Sequence, residues 1–532
     1  ADPASVEHSI LARDVDVVYA EDGTIQSIDT GRNQVSVVPD SGGYEIRFAG
    51  EGGQPLVTYK AEMTGTDGDR RFRFSEERSG GPVRSVEYGA APDGGMRMTR
   101  LDETDTAVQE EILRKSTDGD LETRVRTVME DGLPASVVET VYEETETGSR
   151  VIRETVDPDG LNLTTLSEYY TDPAAPGYGR LKTRTRPDGA SVTYTYDALG
   201  RVVTESRYFM DTPGARVTAY DYTPLSGDSG RAEDIRIPRT VTETIDGVTV
   251  SKTFAVYRYA ADGERTEITE RAASPGVSYG DAANLRTVRV YHPYGRTFTS
   301  GRLKSVSYPD GRKDTYTYEL GAYTESADPS LAGGFIPGAG DDVRASVVYG
   351  TEARPKGVPY KTTKDVTITD RTGHTLQDES YVYTGIGYER IRWTVRVLDG
   401  RGRPETEYRS DGTMTDTVWG CCNREQTTDA RGLTTFYGYD GLDRIAYESR
   451  ESLKGMIRTD YERTVTETGR METRTVTGGG LSLSSVTRYD RAGRMISVTD
   501  EAGLTTEYEY TDAGRVTTVI HPGGATEVTE RY

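Results

Sequence analysis

The most chemically distinctive stretch of the sequence places its two cysteines side by side, as Cys421 and Cys422. Trp419, one of only two tryptophans, stands two residues before them. Adjacent cysteines that oxidise close a small ring, and this ring distorts the peptide between them. Beside an indole, such a ring would form a rigid and fairly apolar platform on which a sugar or another flat ligand could stack. We therefore take Trp419, Cys421 and Cys422 as candidate ligand-binding residues, with a vicinal disulfide between the cysteines.

Two other interpretations of this stretch stay open. The cysteines are either free thiols in a turn, or a disulfide ring that stiffens the turn and binds nothing. An oxidised pair favours a location outside the cytoplasm, because cytosolic thiols are kept reduced.

Other residues that could carry catalysis are sparse. The four histidines are His8, His292, His374 and His521, and none stands in a metal-binding spacing such as His-x-x-x-His. Two cysteines cannot build a four-thiolate zinc site, and no nucleophile elbow or phosphate-binding glycine loop is present. The sequence predicts no cofactor and no metal, and it leans away from an enzyme. A general acid/base pair for polysaccharide cleavage, such as Tyr291 with His292 or His374 with an arginine, stays as a minor alternative.

The elements that would position these residues follow from a repeat. Residues 489–494 read Tyr-Asp-Arg-Ala-Gly-Arg, and residues 510–515 read Tyr-Thr-Asp-Ala-Gly-Arg, which places the two glycines 21 residues apart. The dipeptides Gly179-Arg180 and Gly200-Arg201 are separated by the same interval. A fixed period of this length predicts a repeat architecture.

One unit of the repeat can be interpreted residue by residue. Residues 191–196 alternate β-branched or aromatic with polar residues, which is typical of a strand. Asp197 can begin a turn by bonding its own backbone, and Gly200 can adopt positive φ without steric cost. Residues 201–206 then form the partner strand. One unit is therefore two strands and two turns, and the product is an all-β antiparallel meander.

Tyr-Asp-x-x-Gly-Arg followed by a strand resembles the YD repeat of the RHS family, which includes bacterial RHS proteins, the shell subunits of insecticidal toxin complexes, and teneurins. The resemblance implies a long β-ribbon that spirals into a hollow shell or an open spiral. It also implies structural roles in the repeat turns for Tyr196, Asp197, Gly200, Arg201, Tyr291, Gly295, Arg296, Tyr439, Asp440, Arg444, Tyr489, Asp490, Gly493, Arg494, Tyr510, Gly514 and Arg515. In these turns His292 stands in for the usual Asp, and Asp443 stands where Gly is usual.

Composition and charge fit a sheet that is exposed to solvent on both faces. Hydrophobic residues make up only 34% of the chain, which is too few for a solid core of this length, whereas 36 tyrosines and regular alternation argue against disorder. The net charge of −23 makes nucleic acid an unfavourable partner, because phosphate binding needs clustered Lys and Arg. No apolar run is long enough to span a membrane.

We divide the chain into three parts. Residues 1–3 are interpreted as a cloning remnant, residues 4–178 as degenerate N-terminal repeats, and residues 179–532 as better-formed repeats. Within the last part, 326–342 is predicted to be a long rim loop, either a flexible surface loop or a capping or binding insertion. Residues 157–161 (Asp-Pro-Asp-Gly-Leu) resemble the self-cleavage element of family toxins, but we favour an ordinary turn because many repeats follow them.

The functional expectation is a non-catalytic structural, encapsulating or interaction scaffold, secreted or at the cell surface and of bacterial type. Its partner would be a protein or glycan ligand, or an encapsulated cargo that is not in this chain. Two alternatives stay open: a secreted protein that binds or cleaves carbohydrate near Trp419 and the cysteine pair, and a fragment of a toxin-encapsulating cocoon. The final edge at residue 532 is expected to continue or to pair with another strand.

Overall fold

The computed structural model describes the backbone of residues 6–10, 13–19, 25–29, 34–40, 43–49, 55–64, 71–78, 84–91, 94–102, 104–115, 120–130, 132–146, 148–208, 215–229, 231, 234–328, 331–350, 362–420, 423–440 and 443–530. Side chains are described mainly from Thr58 onward. All the long elements in these ranges are β-strands, and a short 3-10 turn lies at Asp512–Gly514.

Strands alternate with short reversals along the whole described chain. The first twenty are β1 (Val6–Ile10), β2 (Arg13–Tyr19), β3 (Ile25–Asp29), β4 (Gln34–Asp40), β5 (Gly43–Ala49), β6 (Pro55–Thr64), β7 (Arg71–Arg78), β8 (Arg84–Ala90), β9 (Met96–Leu101), β10 (Ala107–Lys115), β11 (Leu121–Glu130), β12 (Leu133–Thr145), β13 (Gly148–Val156), β14 (Leu163–Tyr169), β15 (Leu181–Thr185), β16 (Ser191–Tyr196), β17 (Val202–Tyr208), β18 (Ala215–Asp221), β19 (Thr240–Ile245) and β20 (Val248–Tyr259). The others are β21 (Arg265–Arg271), β22 (Leu285–Tyr291), β23 (Leu303–Ser307), β24 (Lys313–Thr324), β25 (Gly334–Pro337), β26 (Asp342–Tyr349), β27 (Thr363–Thr369), β28 (Thr375–Tyr383), β29 (Tyr388–Leu398), β30 (Pro404–Arg409), β31 (Met414–Trp419), β32 (Arg424–Thr428), β33 (Thr434–Tyr439), β34 (Ile445–Ser452), β35 (Gly455–Thr466), β36 (Gly469–Gly478), β37 (Leu481–Asp490), β38 (Met495–Thr499), β39 (Thr505–Thr511), β40 (Val516–Ile520) and β41 (Thr526–Glu530).

Almost every strand pairs antiparallel with the strand that follows it in the chain. The pairing of β35 with β36 is typical, running without a break from Ile457 opposite Gly478 to Thr466 opposite Gly469. The one departure is β25, which pairs only with the far end of β24, while β24 also pairs with β26. The predicted all-β antiparallel meander is confirmed, and it forms one continuous, unclosed sheet.

The reversals fall along two opposite edges of this ribbon, since each strand crosses from one edge to the other. We call one edge the motif rim; its turns are 197–201, 260–264, 292–302, 370–374, 399–403, 420–423, 440–444, 490–494 and 512–515. We call the other edge the plain rim; its turns include 186–190, 308–312, 409–413, 429–433, 500–504 and 521–525. The Tyr-Asp turns of the repeat therefore share one rim, as a stacked meander requires.

The regular five-residue turns on the two rims have the same backbone hydrogen bonds. On the motif rim the Asp490 N–H donates to the Arg494 carbonyl at 2.8 Å, and the Gly493 N–H donates to the Asp490 carbonyl at 2.9 Å. The plain-rim turn that begins at Asp429 repeats both bonds. Side chains, and not backbone shape, therefore distinguish the motif rim.

The most deeply buried apolar side chains lie where a long connection folds back onto the sheet. Val256 and Ile268 are cross-strand neighbours with 0% and 1% exposure. Near them the connection between β18 and β19 returns to β20, where the Ser229 N–H donates to the Tyr257 carbonyl at 2.8 Å. Burial is thus local, because a single-layer ribbon has no second layer to pack against along most of its length.

Part of the segment 326–342, which was predicted as a long rim loop, forms a short strand. Residues 334–337 form β25, and the Gly333 N–H donates to the side-chain oxygen of buried Gln377 at 2.8 Å. The same oxygen also accepts the Tyr323 hydroxyl at 3.3 Å, so this buried amide joins the segment to β24 and β28. The segment is an insertion that pairs with β24 and reaches β28 at Gln377.

Candidate functional site

Each well-formed turn on the motif rim is closed by its aspartate. Asp490 accepts the N–H groups of Ala492 at 3.0 Å and Arg494 at 2.8 Å through Oδ1, and it accepts Arg494 Nε through Oδ2 at 2.7 Å. The corresponding pairs are Asp197 with Arg201, Asp399 with Arg403, and Asp440 with Arg444. The carboxylate therefore fixes both the turn and the direction of the arginine.

The arginine of one turn then contacts the tyrosine of the next unit. The Arg494 guanidinium lies 4.6 Å from the ring centroid of Tyr510, whose hydroxyl donates to the Met495 carbonyl at 2.7 Å. We call this combination the rim clasp: an arginine stacks on a tyrosine ring, and the tyrosine hydroxyl donates to the carbonyl of the residue after the arginine. It recurs for Arg180 with Tyr196 and Leu181, Arg201 with Tyr222 and Val202, and Arg302 with Tyr318 and Leu303. The clasp joins neighbouring turns of the motif rim to each other.

Trp419 occupies the clasp position of its unit. Its indole Nε1–H donates to the Pro404 carbonyl at 2.8 Å, and the Arg403 guanidinium lies 4.9 Å from the ring. These are the two contacts that tyrosine makes elsewhere, so the tryptophan is engaged in the sheet as well as being a candidate ligand residue.

The turn after Trp419 is one residue shorter than its counterparts. Trp419 pairs with Arg424, five residues on, whereas Tyr489 pairs with Met495, six residues on. The Gly420 N–H donates to the Asn423 carbonyl at 2.9 Å. Cys421 and Cys422 lie outside the described residues, so their disulfide and the stacking platform stay predictions.

The Tyr291 unit has a longer turn than its sequence suggests. The His292 N–H donates to the Arg302 carbonyl at 2.9 Å, and the positive φ of 66° belongs to Gly301. Arg302, not Arg296, makes the rim clasp. The sequence hides this because the dipeptide Gly-Arg occurs twice, at 295–296 and at 301–302.

Two further units show how the turn tolerates substitution. Asp443 takes the glycine position with φ 60°, a conformation that a short polar side chain permits. In the last unit the aspartate is displaced by one residue, and Arg515 pairs with Asp512 at 2.8 Å beside Gly514. In the unit that contains Asp443, the Tyr439 hydroxyl still makes the clasp hydrogen bond, to the Arg424 carbonyl at 2.7 Å.

His374 takes the arginine position of its turn. Its Nδ1 lies 3.1 Å from Asp370 Oδ2, and the Thr372 hydroxyl and backbone also bond Asp370 Oδ1. Burial alone would raise the pKa of the Asp370 carboxyl, but these hydrogen bonds outweigh it and lower the pKa to about 2. The His374 ring also lies against Gly402 of the next turn, where a side chain would overlap it.

A second group of contacts joins parts of the ribbon that are far apart in sequence. The Glu130 carboxylate, 4% exposed, accepts Arg444 Nη1 at 2.6 Å across 314 residues, and Arg470 Nη1 lies 3.9 Å from it. Arg491 lies 3.7 Å from Asp157. We call these contacts, with β11 and β12 lying against β35 and β36, the seam.

The seam joins opposite rims. Glu130 and Asp157 stand at plain-rim turns of β11 and β13, whereas Arg444 and Arg491 stand at motif-rim turns beside β34 and β37. Late in the chain the motif rim of the ribbon meets the plain rim of its early part. A ribbon that returns on itself in this way has the geometry of a spiral. The sequence does not reveal this site, because nothing in it distinguishes Glu130 from the many other carboxylates.

The described ranges contain neither a metal-binding cluster nor a membrane-spanning helix. No group of three His, Cys, Asp or Glu side chains there is arranged to hold a metal ion. No helix in those ranges has the length and apolar character needed to span a membrane.

Comparison with known proteins places the chain among repeat proteins. The family model described as RHS repeat matches residues 177–208 and 489–526. Comparison with curated proteins gives no match.

Similar solved structures include TcdB2-TccC3 (11% identity, TM-score 0.26, 98% of this chain and 38% of that one) and the same protein without its hypervariable C-terminal region (12%, 0.30, 98% and 31%). A Photorhabdus luminescens Tc holotoxin pore is similar at 9% identity, with a TM-score of 0.32 and coverage of 99% and 36%. The chain thus spans about a third of the length of these structures, between 31% and 38%.

Proposed function

We propose, from the premise that this chain carries RHS repeats, that its ribbon forms part of the wall of a hollow shell and acts as a structural scaffold without catalysis. The resemblance implies such a shell for the family. The wall would enclose or display a partner that this chain does not contain.

The seam is the single observation that carries the proposal. In a flat ribbon, buried Glu130 would not contact Arg444, which is 314 residues away in the chain. Removing a carboxylate from water is unfavourable unless it is paired. The contact therefore supports a defined curvature that returns one rim to the other.

Small-angle scattering of the purified chain tests the proposal. A curved wall around empty space has a larger radius of gyration than a solid globule of the same mass, for which about 24 Å is expected at this length. We expect a clearly larger radius together with a broad distance distribution, and electron microscopy of negatively stained particles should show a stain-filled interior. A radius near the compact value would contradict the wall.

Location and cargo belong to the same proposal. We infer an extracytoplasmic protein, secreted or at the cell surface and of bacterial origin, whose partner is an enclosed cargo or a protein or glycan ligand. The net charge of −23 suits a soluble wall that does not associate with itself. Fractionation of the natural host with an antibody to the chain tests the location, and recovery only in the cytoplasm would contradict it.

The alternative function, carbohydrate binding or cleavage near Trp419 with Cys421 and Cys422, stays a prediction. Trp419→Tyr is the informative variant, because tyrosine is the usual clasp residue and preserves the sheet contacts. Glycan-array binding that is present in the natural chain and lost in Trp419→Tyr would favour the alternative. Equal binding in both chains, or none, would count against it.

A further inference from the structure

A polar cleft of about 510 Å³ crosses the strands from β24 to β29 and shares no residue with the seam. The pairing register places Tyr316, Val347, Asp365, Ser380 and Arg392 in one line across five strands. Residues directly opposite each other in a sheet share a face. Four interstrand spacings of about 4.8 Å separate the ends of this line by about 19 Å.

A second line runs beside the first and gives the cleft its shape. It consists of Tyr318, Ala345, Thr367, Asp378 and Thr394. In both lines the tyrosine stands at one end and the smaller side chains stand in the middle. The result is an open depression with an aromatic wall on β24 and a cationic wall on β29, which we call the β24–β29 cleft.

Part of the cleft is held rigid by its own hydrogen bonds. Asp378 accepts the Thr367 hydroxyl at 2.9 Å through Oδ1, and it accepts Arg396 Nη1 at 2.6 Å through Oδ2. Arg396 is fixed in turn by Glu407, at 3.0 Å from its Nε. A preorganised polar floor lowers the entropic cost of binding a ligand.

Other polar groups of the cleft are left open. Within the described ranges, the Tyr316 hydroxyl, the Ser380 hydroxyl and the exposed guanidinium of Arg392 have no hydrogen-bond or ion-pair partner in the chain. A ligand in the cleft would therefore meet two hydroxyls and a guanidinium that have no partner among the described residues.

The charges of the cleft define the chemistry of its ligand. Three carboxylates line the cleft. Asp365 and Asp378 are matched in number by Arg392 and Arg396, and Glu379 is paired with Arg390 at 2.6 Å, so neither an anion nor a cation is favoured overall. A neutral polyhydroxyl ligand can both donate to the carboxylates and accept from the guanidinium groups. Its flat apolar faces can stack on the tyrosine rings. The volume lies within the range of about 300–1,000 Å³ that is usual for ligand clefts.

We propose that the β24–β29 cleft binds a neutral oligosaccharide, with Tyr316 as the stacking residue and Arg392 as the main donor. Trp419 is not among the cleft residues and lies on β31, two strands beyond β29, and the cleft does not require the wall function. Its length across five strands suits a chain of several sugars better than a single ring.

Isothermal titration of the whole chain with maltohexaose, cellohexaose and chitohexaose tests the proposal. At least one of these neutral probes should bind, and Tyr316→Ala and Arg392→Ala should each weaken that binding about tenfold. The matched control is Tyr508→Ala, because Tyr508 also stands two residues before a clasp tyrosine but lies outside the cleft. Unchanged circular dichroism would show that all three variants fold.

Three results would overturn the proposal. The first is that none of the neutral probes binds, which would mean that the charged pairs of the cleft only stabilise the sheet. The second is that Tyr508→Ala weakens binding as much as Tyr316→Ala does. The third is that a sulfated heparin hexasaccharide binds more tightly than every neutral probe. None of these results would change the scattering measured for the wall.

Discussion

At the scale of single residues, the rim clasp explains why one unit accepts tryptophan where tyrosine is usual. Both side chains carry a donor at the end of an apolar ring, and both place a π face under an arginine. The recurring feature is therefore a geometry and not a particular residue. This makes Trp419 a position where stability and ligand binding can be separated.

Two substitutions at Trp419 should differ in stability. Trp419→Tyr keeps a donor for the Pro404 carbonyl and should leave the free energy of unfolding nearly unchanged. Trp419→Phe has the same six-membered ring as the Tyr variant but no donor, so we expect it to be less stable than that variant by about 1 kcal/mol. Urea denaturation measures both values. Equal stability of the Tyr and Phe variants would show that the hydrogen bond contributes nothing.

Glycines on the two rims should respond differently to a methyl group. Gly402 on the motif rim and Gly412 on the plain rim have φ values of 80° and 79°, so Ala costs each about 1–2 kcal/mol in backbone strain. A Cβ at Gly402 would also overlap the His374 ring, whereas a Cβ at Gly412 would have no neighbour within 4 Å. We therefore expect Gly402→Ala to lower the free energy of unfolding by more than Gly412→Ala does. The same loss in both variants would mean that the ring moves aside freely.

At the scale of elements, the sequence predicted the meander, the period and the turn chemistry, because these depend on residues close together in the chain. Strand alternation and the Asp and Gly of each turn are local signals, and the common rims follow from them. It did not predict β25, since Gly334–Pro337 pairs with the far end of β24 and the neighbouring Gly333 bonds Gln377, 44 residues away in the chain. The choice of Arg302 over Arg296 was equally hidden, because loop length decides which arginine meets Tyr318.

The turn aspartates should set the pH range in which the fold loses stability in acid. Burial of Asp399 alone would raise the pKa of its carboxyl, but hydrogen bonds from the Arg403 backbone and guanidinium outweigh it, so the pKa lies below its ordinary value. The pKa of Asp370 is likewise lowered, to about 2. A carboxyl with a lowered pKa in the folded state stabilises the fold fully above its unfolded pKa of about 4. This stabilisation is lost as the pH falls from about 4 towards 2, because the unfolded chain then binds more protons.

A pH series of melting temperatures checks this expectation. The melting temperature of the natural chain should be nearly flat from pH 7 to about 5 and should fall steeply below about 4. Asp399→Asn should melt lower at pH 7 and should approach the natural chain near pH 2. The control Asp159→Asn changes an exposed aspartate and should shift nothing. A constant difference between Asp399→Asn and the natural chain at every pH would contradict the role of the charge.

At the scale of the whole molecule, curvature is a property that no single repeat contains. Each unit fixes its own turn and clasps the next, but the pitch of the spiral depends on contacts between distant units. The seam supplies such contacts through a few charged side chains, in a sheet that is otherwise held by local pairs. The shape of the ribbon should therefore be more sensitive to seam residues than its secondary structure is.

A double-mutant cycle between Glu130→Gln and Arg444→Met tests this sensitivity. Arg444 bonds both Asp440 of its own turn and Glu130 across the seam, and burial raises the cost of leaving Glu130 alone. We expect the two changes to be non-additive by about 1–3 kcal/mol. The matched control is Arg494→Met, because Arg494 pairs with its own Asp490 in the same way. Combined with Glu130→Gln, it should be additive.

The same variants should separate shape from strand content. Arg444→Met should increase the radius of gyration while the β-sheet circular dichroism stays unchanged, since the rims part but the strands remain paired. Arg494→Met should leave the radius at the natural value. If Arg444→Met changed neither the radius nor the coupling energy, Glu130 and Arg444 would be an incidental contact, and the curvature would have to reside in the repeats themselves.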